Sequence, residues 1–150
     1  MLINYKVFLE TKKVICEEQF GFQKGKGTVE ALTKLNEQVS KALDEKKKVG
    51  LIFFDLQKAF DTVCRKKLMN KLRYYSLSRQ FCSLLESYLT DRYSCCKIDN
   101  YCSPLVRNDV GVPQGSILGP ILFLFYVNDI NEDNQLNLIL FADDIACRLS

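Results

Sequence analysis

Two short apolar runs that each end in acidic residues constrain this chain more than any other feature. Residues 51–54 are apolar and are followed directly by Asp55, and residues 136–142 lead into Asp143 and Asp144. The first run is apolar on both faces, which is typical of a central strand covered on both sides. The second is followed by another apolar run, which predicts a hairpin with acids at its tip. Neighbouring strands would bring the three carboxylates together.

Clustered carboxylates repel one another unless a cation lies between them. Their hard oxygen ligands select Mg²⁺ or Mn²⁺. Two such ions held about 4 Å apart can activate an attacking hydroxyl and stabilise a leaving oxygen, which is the chemistry of nucleotidyl transfer. Spacing alone also allows a plainer interpretation, since acids after a strand or at a turn often cap a helix or stabilise the turn. Both interpretations stay open at this point.

Apolar periodicity predicts several helices around these strands. Residues 28–46 form an amphipathic pattern at three- and four-residue steps, with Val29, Leu32, Leu35, Val39 and Leu43 as the apolar stripe. Two further core-facing helices are predicted from about residue 65 and over residues 79–89. Residues 93–112 are typical of short extended pieces in a hairpin, and Pro120 is expected early in another helix.

Length and composition are those of one compact globular domain, and the predicted helices and strands place it in the α+β class. Of 150 residues, 47% are hydrophobic and 26% are charged, which argues against a disordered chain. The formal net charge of +3 permits contact with a polyanion but does not require it. Basic runs at residues 46–48 and 65–73 are interpreted as solvated helix faces unless a nucleic-acid site is shown independently.

Cysteine and histidine usage excludes several site types. The chain has seven cysteines without a CxxC pair and no histidine, so a zinc site is not expected. The odd cysteine count favours reduced thiols with no disulfide partner, and therefore an intracellular location in the cytoplasm or nucleus. The longest apolar stretch, residues 117–130, is short for a membrane span and contains Pro120 and Asn128, so no membrane anchor is expected.

Four segments of the chain resemble motifs of reverse transcriptases from non-LTR (LINE-like) retrotransposons. The palm motifs are matched by FFDLQKAFDTV from Phe53, GVPQGSILGPILF from Gly111 and FADD from Phe141. The segment QFGFQKGKGTVEAL from Gln19 resembles the fingers segment that precedes them. The resemblance implies a palm-like antiparallel sheet packed with helices, with part of the fingers over about residues 1–48, the palm over about 49–150, and the thumb absent.

The resemblance assigns a role to each matching acidic residue. Asp55 corresponds to the first metal-binding aspartate, and Asp143 and Asp144 correspond to the acid pair that completes a site for two Mg²⁺ or Mn²⁺ ions. Phe60 corresponds to the aromatic residue beneath the incoming sugar, where its ring would exclude a 2′-hydroxyl. Asp61 follows the motif without an evident chemical task, and a capping or hydrogen-bonding role is expected for it.

Nucleotide binding is implied for two loops. The loop of Pro113, Gln114 and Gly115 corresponds to the one that lines the nucleotide pocket and template base, where glycine would allow close backbone approach. The fingers segment has Gln23 where the family commonly has arginine, so a triphosphate contact is expected either to be lost or to pass to Lys24 or Lys26.

The implied activity is RNA-directed DNA polymerisation. Its partners would be an RNA template, a DNA primer and deoxynucleoside triphosphates, with action in the nucleus implied by the resemblance and a cytoplasmic location also open. Two other interpretations remain: a truncated copy that catalyses nothing, and a module that keeps RNA binding through its lysine runs. Asp55, Asp143 and Asp144 favour the enzyme, because binding alone requires none of them.

Overall fold

The computed structural model describes residues 14–132 and 136–149. These residues form two compact units. One contains the described residues up to Gln57 and from Val127 onward, and the other is Lys58–Tyr126. Helices and antiparallel sheet are mixed along the chain, which confirms the predicted α+β class. The unit boundary does not coincide with the predicted boundary between fingers and palm near residue 48, and that assignment stays a prediction.

The described helices and strands follow the predicted order. The helices are α1 Thr28–Asp44, α2 Arg65–Tyr74, α3 Arg79–Leu89 and α4 Leu118–Val127. The strands are β1 Gly50–Asp55, β2 Arg92–Ser94, β3 Lys97–Ile98, β4 Tyr101–Cys102, β5 Val106–Asn108, β6 Asn137–Phe141 and β7 Asp144–Leu149.

The first unit is built on an antiparallel sheet with the strand order β1-β7-β6. Alternation along the strands sends side chains to two faces. One face carries a buried cluster of Leu138, Leu140, Ile145 and Cys147. On the other face Ile139 packs with residues of helix α1 and of the segment before it. The sheet therefore has apolar contacts on both faces over β6 and β7.

Strand β1 was predicted as a covered central strand, and that prediction is wrong for the described residues. It lies at the edge of the three-stranded sheet, and all six of its residues are exposed. Phe53, for example, is 68% exposed. Helix α1 packs on β6, at the opposite edge of the sheet, which leaves β1 uncovered. A run apolar on both faces predicts a strand but does not determine which elements cover it.

Helix α1 forms as predicted, but its packed face differs from the predicted stripe. Val29 and Leu32 are 70% and 65% exposed. Ala31 and Ala42 are buried instead, with Leu35 packed against the core. Small residues allow the helix to approach the sheet closely, while Val29 and Leu32 point away from it.

The second unit contains α2, α3, α4 and two short two-stranded sheets. Helices α2 and α3 pack together through the buried faces that their periodicity predicts. The Ser78 hydroxyl caps α3 by accepting a hydrogen bond from the backbone N–H of Phe81 at 3.3 Å. The predicted hairpin is present as β2 paired with β5, which encloses β3 paired with β4. Pro120 is the third residue of α4, as expected for an early helical position.

Two further properties concern the whole described chain. None of its helices is both long enough and apolar enough to cross a membrane. All seven cysteines have free thiols.

Candidate active site

The sheet of the first unit brings two of the predicted acidic residues face to face. Asp55 ends β1, Asp144 begins β7, and the two are direct partners in the antiparallel register. Partners in such a register have side chains on the same face with Cβ atoms about 5 Å apart. Both side chains are exposed, and neither forms an ion pair within the described residues. Two negative charges therefore oppose each other at one end of the sheet.

Asp143 lies in the turn between β6 and β7. Phe141 and Asp144 close this hairpin, so Ala142 and Asp143 form a two-residue loop. Asp143 is half-buried, and Ala142 has a φ of 57°, in the left-handed region that non-glycine residues seldom adopt. The hairpin with acids at its tip forms where the sequence predicts it.

The donor types at this end of the sheet fit a hard divalent cation, because carboxylate oxygens are the ligands that Mg²⁺ and Mn²⁺ prefer. A cation would also offset the repulsion between Asp55 and Asp144. The fit is partial. Across residues 14–132 and 136–149, no three acidic, cysteine or histidine side chains are grouped closely enough to hold a metal ion. Asp55 and Asp144 are brought together, and Asp143 stands beside them in the turn without completing a three-ligand cluster.

A buried glutamine supports this turn from behind. Gln19 is 1% exposed, and its Oε1 accepts hydrogen bonds from the backbone N–H groups of Ala142 at 2.9 Å and Gly21 at 2.8 Å. Its Nε2 donates to the carbonyl of Ala142 at 3.4 Å. Sequence reasoning assigned no role to Gln19. Its partner lies more than 100 residues away in sequence, so no local pattern could reveal the contact.

Lys26, one of the two lysines predicted to contact a triphosphate, forms hydrogen bonds within the chain. Its Nζ donates to the carbonyls of Glu17 at 3.0 Å and Gln19 at 2.9 Å, and lies 5.0 Å from the centre of the Phe20 ring. Lys24 is exposed. Of the two lysines, Lys24 is therefore the freer to reach a ligand.

Gln23, which stands where the family commonly has arginine, also binds locally. Its Nε2 donates to the backbone carbonyl of Gln19. Gln23 and Lys26 line a cavity of about 570 Å³, together with Glu17 and Glu18. Two carboxylates in this lining make the cavity mixed in charge rather than a purely basic cradle for phosphates.

The second unit links the Phe60 segment to the loop that contains Gln114. The Phe60 ring is half-buried and stacks on Phe123, with ring centres 4.8 Å apart. The next residue, Asp61, accepts a hydrogen bond from Gln114 Nε2 at 3.0 Å through Oδ1. The backbone N–H of Val112 donates to the Phe60 carbonyl at 2.8 Å. Asp61 therefore has the hydrogen-bonding role that was expected of it, and its partner is Gln114.

Glycines shape this loop in two different ways. Gly115 has a φ of 75°, which glycine adopts without strain, and a Cβ there would meet nothing within 4 Å. The close approach of a nucleotide to this glycine stays a prediction. Gly111 has a φ of 80°, and a Cβ there would lie 2.8 Å from the Asp61 carbonyl oxygen. Pro113 begins the loop, and its carbonyl accepts a hydrogen bond from the Ser116 hydroxyl at 2.7 Å.

The first arginine of the basic run at residues 65–73 holds the start of this loop. Arg65 donates to the carbonyls of Asn108, Val110 and Gly111 at 2.6, 2.8 and 2.8 Å. Desolvation, followed by the charge of Arg92, lowers the pKa of the Arg65 guanidinium from its usual value. Arg65 is therefore structural and is not part of a solvated basic face.

The family model described as "Reverse transcriptase (RNA-dependent DNA polymerase)" matches residues 2–149 of the chain. Among curated proteins, the chain is 34% identical over 144 residues to the probable RNA-directed DNA polymerase from transposon BS of Drosophila melanogaster. It is 34% identical over 143 residues to that from transposon X-element of the same species, and 33% identical over 145 residues to that from mobile element jockey of Drosophila funebris. These alignments cover 90–92% of the chain and 16% of each relative.

Among solved structures, a telomerase from Candida albicans, in complex with a TWJ fragment of telomeric RNA, has a similar fold. The TM-score is 0.57 at 12% identity, and the similarity covers 95% of this chain and 29% of the telomerase chain. The fold is therefore shared with a small part of a much longer protein. Since the family model matches nearly every residue, including the segments that carry Asp55, Asp143 and Asp144, the chain belongs to the reverse transcriptase family.

Proposed function

We propose that this chain is the part of an RNA-directed DNA polymerase that holds two divalent metal ions and transfers a deoxynucleotide to the 3′-hydroxyl of a DNA primer. The observation that carries the proposal is the direct opposition of Asp55 and Asp144 beside Asp143, in a chain of the reverse transcriptase family. Because the chain spans about 16% of the length of its curated relatives, the activity is proposed for a polypeptide of their length that includes these residues.

Electrostatics supports a metal-binding role for these acids. Like charges directly opposite each other on paired strands are destabilising, and no cation of the described residues neutralises this pair. Asp55, Asp143 and Asp144 would supply oxygen ligands to Mg²⁺ or Mn²⁺. Bound there, the ions would activate the attacking hydroxyl and stabilise the leaving oxygen.

Selection of deoxynucleotides is assigned to Phe60 and to the loop of Pro113, Gln114 and Gly115. The hydrogen bond from Gln114 to Asp61 holds the glutamine beside the segment that carries Phe60, so the two candidate nucleotide contacts are coupled. Stacking on Phe123 fixes the plane of the Phe60 ring. A ring held in a fixed plane can exclude a 2′-hydroxyl by steric contact. Lys24, exposed in the fingers segment, is the remaining candidate for a triphosphate contact.

RNA template, DNA primer and deoxynucleoside triphosphates are the proposed partners, with the nucleus as the proposed site of action. The basic run on α2 contributes little to template binding in this proposal. Arg65 binds three backbone carbonyls, Lys71 donates to the carbonyl of Tyr126, and Arg73 pairs with Glu86 at 3.3 Å.

The proposal is tested by primer extension with the polypeptide that carries these residues in its natural reading frame. With an RNA template, a DNA primer and Mg²⁺ or Mn²⁺, we expect incorporation that falls by about a thousandfold or more in Asp143→Asn, since metal ligation contributes several kcal/mol to the barrier. Asp99→Asn is the matched control. Asp99 is an exposed aspartate in the turn between β3 and β4, and its φ of 50° suits asparagine, so activity should be unchanged.

The outcome also separates the enzyme from the alternatives. Equal extension by the unaltered protein and by Asp143→Asn would overturn the metal assignment. RNA binding without extension in any of the proteins would favour a copy that has kept binding and lost chemistry.

The role of Phe60 has its own test in the same assay. Phe60→Val should raise the ratio of kcat/KM for ribonucleotides over deoxynucleotides by at least about tenfold, the scale of discrimination set by a few methylene-sized contacts. Phe123→Leu removes the stacking partner but keeps the Phe60 ring, so it controls for loosened packing. Equal shifts in both variants would mean that packing, and not the ring itself, sets the discrimination.

A further inference from the structure

Among residues 14–132 and 136–149, Gln19 is the one buried residue that has a polar side chain. Its amide orientation is fixed by its partners, because two backbone N–H groups point at Oε1. Its backbone is anchored as well, since the Gln19 carbonyl accepts hydrogen bonds from Lys26 and Gln23. The residue is held at both ends and cannot turn away from its target.

The target is the peptide backbone on both sides of Ala142. Gln19 accepts from the Ala142 N–H and donates to the Ala142 carbonyl, so it binds the peptide group before this residue and the one after it. The second of these groups also contains the amide nitrogen of Asp143. Ala142 has a φ of 57°, which an alanine keeps only when the surroundings impose it.

The segment that carries Gln19 is fixed along β6. Leu140 donates to the Glu18 carbonyl at 2.8 Å, and Phe20 donates to the Leu140 carbonyl at 2.7 Å, which forms a short parallel bridge. Gly21 then lies so close to the turn that a Cβ on it would be 2.3 Å from the Ala142 nitrogen. Residues 18–21 therefore pack closely against β6 and the turn that follows it.

We propose that Gln19 is a positioning residue for the acidic turn. By holding both peptide groups of Ala142, it sets the direction from which Asp143 and Asp144 present their carboxylates to a divalent ion. The inference rests on the proposed function, because it assumes that these carboxylates bind metal. Residues that orient ligands from behind a metal site commonly change metal affinity by about 10–100-fold when they are mutated.

A role limited to packing would not require an amide at this position. An apolar side chain of similar length would fill the same space, but it would leave the backbone N–H groups of Gly21 and Ala142 without the acceptor that Oε1 provides. What the amide adds is direction, since it binds one donor and one acceptor of the same residue.

Two readouts on the 150-residue chain test the proposal. The first is hydrogen exchange of the Ala142 amide, followed by NMR. The second is the dissociation constant for Mn²⁺, measured by electron paramagnetic resonance. In Gln19→Met, which keeps side-chain length and removes both hydrogen-bonding groups, we expect faster exchange at Ala142 and Mn²⁺ binding weaker by about tenfold.

Leu138→Ala is the matched control, because Leu138 is buried near the far end of β6 and its truncation lowers stability without touching the turn. With both variants folded, it should leave Mn²⁺ affinity unchanged. The hydrogen-exchange rate of the Ala142 amide is compared with that of the Ala146 amide in β7. If Leu138→Ala leaves the ratio of these two rates unchanged, the faster exchange at Ala142 is specific to the loss of Gln19. Equal changes in both variants would overturn the positioning role and leave a purely structural one.

Asp143→Asn separates this inference from the proposed function. Mn²⁺ binding that depends on Asp143 but is unaffected in Gln19→Met would refute the positioning role alone. Mn²⁺ binding that is the same in the unaltered chain, in Asp143→Asn and in Gln19→Met would refute the metal assignment, and the positioning role with it.

If Gln19→Met does not fold, Gln19→Asn carries the test. Its amide is one methylene shorter and cannot reach both groups of Ala142 from the same backbone position. The same two changes are expected, and an unchanged Mn²⁺ dissociation constant would overturn the proposal.

Discussion

Neutralising one member of the opposed acidic pair should make the fold more stable. Asp55 and Asp144 are direct partners in the register of β1 and β7. Within residues 14–132 and 136–149, no lysine or arginine forms an ion pair with either of them. Asp55→Asn and Asp144→Asn keep the shape of each side chain and remove one charge. Most substitutions at ordered positions cost stability, so a gain would be a distinctive result.

The magnitude follows from the separation and the exposure of the two carboxylates. Unit charges about 6 Å apart repel by about 0.7 kcal/mol at the dielectric constant of water, and by more where protein displaces part of the solvent. Cross-strand pairs in sheets contribute about 0.2–1 kcal/mol. We therefore expect each single variant to gain about 0.5–1 kcal/mol in the free energy of unfolding, which raises Tm by about 1–4 °C in a chain of this size.

Urea unfolding of the four proteins of a double-mutant cycle measures the repulsion itself. Either asparagine removes the same repulsion, so the double variant should gain no more than the larger of the two single gains. Salt at 1 M, where the Debye length is about 3 Å, should remove most of the difference between the unaltered chain and the variants. Mg²⁺ should stabilise the unaltered chain more than the variants, because a ligand of the folded state adds to its stability.

Three results would contradict this reasoning. Loss of stability in both single variants would mean that the acids make favourable contacts. Gains that add fully in the double variant would mean that the two charges do not interact. A gain that persists at 1 M salt would point to a cause other than charge.

Two further predictions concern the loop of the second unit. Arg65→Met should lower the free energy of unfolding by about 2–4 kcal/mol, because three backbone carbonyls lose a charged donor, whereas Lys66→Met on the exposed neighbour should change it by less than about 0.5 kcal/mol. Similar losses in thermal or urea unfolding would refute a structural role for Arg65. Gly115→Ala should lower the free energy of unfolding by about 1–2 kcal/mol, from its positive φ alone. Gly111→Ala should lower it by clearly more, because an added Cβ at Gly111, unlike one at Gly115, would collide with backbone atoms. Equal losses of stability would show that the loop relaxes.

Local signals in the sequence were enough to predict most of the elements. The pattern over residues 79–89 predicts a helix, and α3 spans Arg79–Leu89. The hairpin that carries Asp143 and Asp144 was predicted from two apolar runs that flank the acids, and β6 and β7 form there. Periodicity and turn chemistry lie within windows of about 18 residues or fewer, so one chain segment carries the whole signal.

The sequence did not determine how those elements are covered. Helix α1 buries Ala31 and Ala42, while Val29 and Leu32 remain exposed. Hydrophobicity ranks valine and leucine above alanine, but close helix–sheet contact favours the smaller side chain at the point of approach. Which of these effects prevails depends on the partner surface, and the helix sequence does not contain that surface.

The candidate site divides in the same way. The acids could be predicted because each follows an apolar run and each matches a family motif. Gln19 and the hydrogen bond of Gln114 to Asp61 could not, because both contacts join segments that are distant in sequence.

The features around the acidic turn each oppose stability when taken singly. Asp55 and Asp144 repel each other, and Ala142 holds a left-handed backbone conformation that glycine would adopt at lower cost. A sequence chosen for stability alone would favour a β-branched residue in place of one of the opposed acids and a glycine in place of Ala142. Local rules fail together mainly where function requires a particular geometry. The two departures meet at one end of the sheet and support, independently of the family motifs, the proposal that this turn is the chemical centre of the chain.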